Sequence, residues 1–201
     1  MQLERSTGAG KRLMPAAVAL LIVVTACQAC PDFNPGVEAY ERGDYDTALK
    51  EFRPLAEQGD ASAQFYLGDM YDKGLGVPQD YQEAARWYQQ AAEQGVASAQ
   101  FSLAVMFFKG QGVPLDYAEA VKWYRLAAEQ RHAGAQNNLG YMYYKGQGVP
   151  QNYIQAHMWA SLATAQGIKD SAKGLEILKK KMSPAQIAGA QRLSREWKPK
   201  Q

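Results

Sequence analysis

Ala63-Gln64-Phe65-Tyr66-Leu67-Gly68-Asp69-Met70-Tyr71-Asp72-Lys73-Gly74-Leu75-Gly76-Val77-Pro78-Gln79-Asp80-Tyr81 is the first statement of a phrase that returns, ungapped and in phase, at residues 99–117 and 135–153. The period is 36 residues, and Trp87, Trp123 and Trp159 keep the same step beyond the quoted stretch. A supersecondary unit repeated at such a period cannot bury its apolar face alone, so neighbouring units must stack. The repeat therefore predicts an all-α solenoid, with function on the stacked surface rather than in one catalytic pocket.

One unit can be read helix by helix. Ala63, Leu67, Met70 and Tyr71 fall at i, i+4, i+7 and i+8, the stripe of a helix (helix A, residues 61–73) that faces a core. Gly74 supplies the left-handed residue that ends it, and Gly76-Val77-Pro78 forms the loop. A second helix (helix B, about residues 81–94) follows, with Ala84, Tyr88, Ala91 and Ala92 on its packing side and Gly95 at its close. Asp80 with Glu83, Asp116 with Glu119 and Asn152 with Gln155 have the spacing of a capping box. The Trp rings read as core, packed against small Ala and Gly neighbours.

Upstream, Tyr45, Ala48 and Phe52 align with Tyr81, Ala84 and Tyr88, so a degenerate unit at 38–60 precedes the full units at 61–96, 97–132 and 133–167. Pro54 lies inside its helix B and is expected to bend or break it. Residues 168–182 read as a further helix. Ser183 then caps a last one, with Pro184 at its first position and Gln186 at its third, and the two helices make a terminal cap.

The pattern Ala-Gln-x-x-Leu-Gly-x-Met-Tyr-x-x-Gly-x-Gly-Val-Pro-x-Asp-Tyr-x-x-Ala-x-x-Trp-Tyr-x-x-Ala-Ala-Glu-Gln-Gly closely resembles the Sel1-like repeat (SLR), a relative of the tetratricopeptide repeat. The resemblance covers residues 38–167. Ala104 stands where helix A has its glycine and Arg131 where a glycine closes helix B, and the first unit lacks the Gly-x-Gly loop. It implies a right-handed superhelix of antiparallel helix pairs that serves as a scaffold or adaptor for protein complexes, with helix A lining the concave surface. Cysteine-rich relatives with proposed penicillin-related activity pair cysteines within each repeat, and these repeats have none.

The N-terminus points to export. Residues 1–12 carry Arg5, Lys11 and Arg12, and an apolar run from Leu13 to Ala26 follows, too short for the roughly 20 residues of a spanning helix. Val24-Thr25-Ala26-Cys27 resembles a bacterial lipobox, which implies a signal at 1–26, lipidation of Cys27 and a linker at 27–37. Gln28 rather than Asp at the next position leans toward an outer-membrane lipoprotein facing the periplasm. Ordinary cleavage near Ala29, leaving a soluble periplasmic or secreted protein, and an uncleaved anchor are the alternatives. Cys27 and Cys30 have redox-pair spacing but sit at the signal boundary, away from the helix N-terminus that such chemistry uses.

Charge is uneven. Residues 31–167 hold 10 Lys and Arg against 16 Asp and Glu, net −6, whereas residues 168–201 hold 9 against 3, net +6. An exported chain with an acidic body does not suit nucleic acid. The basic end fits either a solvated capping helix or an anionic surface. His132 and His157 are the only histidines, no His or Cys cluster has metal-ligand spacing, and no nucleophile motif appears, so neither catalysis, cofactor nor metal is expected.

Where the repeats differ from one another is the guide to specificity. On helix A the triplets Tyr66/Ser102/Asn138, Asp69/Val105/Tyr141 and Asp72/Phe108/Tyr144 vary at a spacing of three, which places them on one stripe. This stripe is the expected contact for a protein or peptide partner, since aromatic and apolar anchors dominate such interfaces. Burial of Phe108 and Tyr144 inside the array is the competing reading. Carbohydrate handling, for peptidoglycan or exopolysaccharide, is a second functional class, favoured by exposed Tyr66, Tyr141 and Tyr144 with clustered carboxylates. An envelope hydrolase is a third.

Overall fold

The computed structural model describes residues 35–200, so the signal reading and Cys27 lie outside the described residues. In chain order the helices are α1 (Pro35–Glu41), α2 (Tyr45–Glu57), α3 (Ala61–Lys73), α4 (Tyr81–Glu93), α5 (Ala97–Lys109), α6 (Tyr117–Glu129), α7 (Ala133–Lys145), α8 (Tyr153–Ala165), α9 (Lys169–Lys179) and α10 (Pro184–Glu196). No strand occurs among the described residues. The full units are the pairs α3/α4, α5/α6 and α7/α8, and each helix A also packs on the helix B before it. From α1 to α9 the contacts run between chain neighbours, as in a solenoid.

The local chemistry explains the boundaries. Gly74, Gly110 and Gly146 end each helix A in the left-handed region (φ 67° to 72°), their amides bonded to the carbonyls of Met70, Met106 and Met142. The second loop glycine has a different duty. A Cβ on Gly112 would lie 2.0 Å from the Tyr81 carbonyl oxygen, because each loop rests on the first turn of the preceding unit's helix B. Arg131 adopts φ 70° where the other units place glycine, a conformation costly for any L side chain.

Helix B starts differently from expectation. Asp80, Asp116 and Asn152 each accept two amides of the first turn. The reciprocal half of a capping box is not made at these sites, because the amides of Asp80, Asp116 and Asn152 already donate to the carbonyls of Tyr71, Phe107 and Tyr143. Glu83 and Glu119 turn instead to Arg86 and Lys122. The complete box forms at α10, between Ser183 and Gln186.

Two further differences concern the ends. α2 continues through Pro54, an exposed position, without a break. At the other end, α9 and α10 each pack against α8 instead of forming another A/B pair with each other. α10 is fixed by Trp197, edge-on to Trp159 at 6.0 Å, and by Lys200, whose amide donates to the Glu129 carbonyl (3.0 Å) and whose ammonium pairs with the Glu129 carboxylate (2.9 Å). Freed from α10, α9 lies along the helix A side of α8.

The core consists of helix A Leu and Met residues against helix B alanines and tyrosines, with Trp123 and Trp159 buried and Trp87 half-buried. A row of buried amides threads it. Gln64, Gln100 and Gln136 donate to the carbonyls of Ala56, Ala92 and Ala128 on the preceding helix B, each at 3.1 Å. Their side-chain oxygens accept from Gln94, Gln130 and Gln166 at the end of their own helix B, at 2.7 to 2.8 Å. Each glutamine thus ties three helices together.

Candidate functional site

The variable stripe of helix A divides into a closed end and an open end. At the closed end Asp69 is only 9% exposed and accepts from the Tyr40 hydroxyl, from Lys73 Nζ (2.8 Å) and from the Tyr88 hydroxyl (3.4 Å). It is spent on joining α1, α3 and α4. Tyr66 is stacked on Phe52 (4.8 Å, 4° between planes). Asp72 is half-buried, and burial, then the negative charge of Asp69, pushes its carboxyl above the usual range. These two acids do not form a solvated acidic patch.

In the middle, Ser102 and Val105 are half-buried, and Phe108 packs against Tyr117 at the start of its own helix B (5.5 Å between centroids). Tyr144 does the same with Tyr153 (6.0 Å). Both rings are partly covered, yet each keeps a face toward an open space. That space is a cleft of about 690 Å³ between α7 and α9, to which Phe108, Asn138, Tyr141 and Tyr144 all contribute.

α9 supplies the opposite wall with Ser171, Gly174, Ile177 and Leu178. Tyr141 (46% exposed) and Ile177 (49%) hold apolar surface in water at this cleft. A polar rail is also present: the Ser171 hydroxyl donates to Asn137 Oδ1 (2.6 Å), Asn137 Nδ2 to Asn138 Oδ1 (3.1 Å), and Asn138 Nδ2 to the Tyr124 hydroxyl (3.1 Å). Burial raises the Tyr124 phenol to about 12, so it stays protonated at neutral pH. Lys145 Nζ sits 5.8 Å and 5.5 Å from the centroids of Tyr141 and Tyr144.

The stripe did not contain Asn137, Ser171 or Ile177. Asn137 had a signal: the ladder position reads Phe65, Phe101, Asn137, and the aromatic is lost only here. Phe101 stacks on His132 (4.5 Å), whereas the amide in its place reaches across to α9. Ser171 and Ile177 had none, because their role follows from where α9 docks.

The cleft offers aromatic rings, side-chain amides and one ammonium to whatever enters it. Among the described residues no group of three or more His, Cys, Asp or Glu is placed to hold a metal ion. His132 uses Nδ1 to accept the Ala135 amide and cap α7, and His157 is buried beside Ser161. Neither lines the cleft.

Comparison with known proteins bears on the whole array. The family model described as Sel1 repeat matches residues 61–96, 97–132 and 133–168. The crystal structure of a Sel1 repeat protein from Oxalobacter formigenes is similar, with a TM-score of 0.68 and 39% identity, over 71% of this chain and 59% of that one. So is that of a protective antigen present in uropathogenic Escherichia coli strains that displays an SLR fold, with a TM-score of 0.70 and 39% identity, over 79% of this chain and 36% of that one. The chain therefore spans less than two thirds of either protein. No curated protein matches it.

Proposed function

The chain belongs to the Sel1 repeat family, whose repeats generally mediate protein–protein interaction, and from that premise we propose that it is a non-catalytic adaptor of the bacterial cell envelope that grips a segment of a partner protein in the α7–α9 cleft. The observation that carries this is the cleft itself. Four of the nine stripe residues meet there, with exposed Tyr141 and Ile177 at its walls and an internally hydrogen-bonded amide rail available to a bound backbone. Its size and mainly apolar lining suit side chains of a peptide. Carbohydrate recognition has less support, since Tyr66 and Tyr144 are half-buried and Asp170 is the one carboxylate in the lining.

Envelope placement rests on the sequence alone, on the apolar run ending at Cys27. Among the described residues no helix is long and apolar enough to cross a membrane. In the proposed arrangement a lipid on Cys27 holds the array at the membrane, and the solenoid presents its cleft to the periplasm.

A photo-crosslinking residue at Tyr141, set against one at exposed Leu115 in an inter-helix loop, tests the cleft in intact envelopes. A discrete adduct at 141, lost on Gly174→Leu, where a Cβ meets nothing within 4 Å, without a fall in melting temperature, is expected. Adducts indifferent to that substitution, or equal at 115, would sink the reading.

A further inference from the structure

In each of the three full units helix A ends in a lysine: Lys73, Lys109 and Lys145 stand 36 residues apart. The first is neutralised within its own helix, by Asp69 four residues back (2.8 Å). The second has Val105 at that position, but its field reaches Asp72 on the unit before. The third has neither acid. Tyr141 occupies the position of Asp69, and Phe108 on the preceding unit that of Asp72. What Lys145 has instead is two tyrosine rings, which hold an ammonium by their quadrupoles without cancelling its charge. The other charged group of the lining, Asp170, is engaged by Lys173 (3.1 Å).

The cleft thus joins an apolar floor to a positioned cation that lacks a counter-ion among the described residues. We infer that it selects a peptide segment in which an apolar side chain lies beside a carboxylate, the side chain entering against Phe108 and Ile177 and the carboxylate meeting Lys145. This rests on the adaptor reading and narrows it. A single lysine suits a monoanion. A phosphate dianion favours forked guanidinium donors or several cations, which this lining does not provide.

Gly174 supplies the means of a clean test. It lies inside α9 and lines the cleft, and a Cβ built there meets nothing within 4 Å, so a side chain at 174 starts in open space beside the cleft. The full chain, in mild detergent, is applied to three immobilised decapeptide sets that share a central Leu, Ile, Phe or Met. The flanks are Asp and Glu in one set, Asn and Gln in the second, and Lys and Arg in the third. The acidic set is expected to be retained about fivefold better than the amide set at low salt, the scale of one exposed ion pair, with the preference shrinking at high ionic strength. Lys145→Gln should erase the preference and Lys145→Arg restore it, while Gly174→Leu lowers retention of all sets with no fall in melting temperature, since leucine is the better helix former. Equal retention of acidic and amide sets, or preference for the basic one, overturns the inference and leaves the adaptor reading standing. Retention of no set, or retention indifferent to Gly174→Leu, removes the cleft as a peptide site and both conclusions with it.

Discussion

At the scale of single residues, the buried glutamines decide whether neighbouring units stay in register. Gln100 is 4% exposed and satisfies a helix-terminal carbonyl on one side and a glutamine amide on the other. Gln100→Leu keeps the volume but removes both bonds, at a cost of about 2 kcal/mol, since a typical hydrogen bond contributes roughly 0.5–1.5 kcal/mol net. The melting temperature should fall by about 4–8 °C for a domain of this size. Gln130→Ala removes the exposed partner and should cost well under half as much. Equal effects of the two would show that the row is not the tie described. The sequence marked these positions as invariant across the units, but nothing in one strand of text says that Gln100 addresses Ala92 behind it and Gln130 ahead of it. Asp69 teaches the same lesson from the other side. As a letter it is an acid on a variable stripe, and only packing shows its oxygens already engaged by Tyr40, Lys73 and Tyr88.

At the scale of helices, caps set the pH response. Burial holds both histidines below the ordinary imidazole range, and for His157 the charge of Lys179 adds to it. In the unfolded chain each binds a proton near pH 6.5, so the unfolded state takes up protons that the folded state refuses. Stability contributed this way is complete above about pH 6.5 and declines as the pH falls through the range below it. His132 makes the decline specific to α7, because protonated Nδ1 can no longer accept the Ala135 amide. Thermal melts between pH 7 and 5 should therefore show a falling midpoint. His132→Asn, which keeps an N-cap acceptor, combined with His157→Leu should flatten it. An unchanged slope in the double variant would place the effect elsewhere. Helix ends were legible from local chemistry: α3 ends at Lys73 before Gly74, and α10 begins at Pro184 after Ser183. The reciprocal capping at Asp80 was not, because its amide is taken by Tyr71, a residue on another helix.

At the scale of the molecule, charge is graded along the array. Residues 35–96 hold 5 Lys and Arg against 12 Asp and Glu, while residues 97–201 hold 14 against 6. Lys145, which has no acid partner among the described residues, belongs to the basic part and lies at the proposed peptide cleft. If Cys27 tethers the other part to a membrane, metabolic labelling with a fatty-acid analogue should mark the wild type and not Cys27→Ser, and the variant should leave the membrane fraction. Labelling that survives the substitution would remove the anchor from the proposal. The sequence by itself determined the period, the helix pairs and the family, because the glycines, alanines and capping side chains that encode them act within one unit and recur in each. The site was decided only by tertiary structure. α9 docks on α8 without pairing with α10, so it is left to wall a cleft whose residues come from α5, α6, α7, α8 and α9. No local rule of sequence specifies that meeting, which depends on how the last helices satisfy the exposed end of the stack.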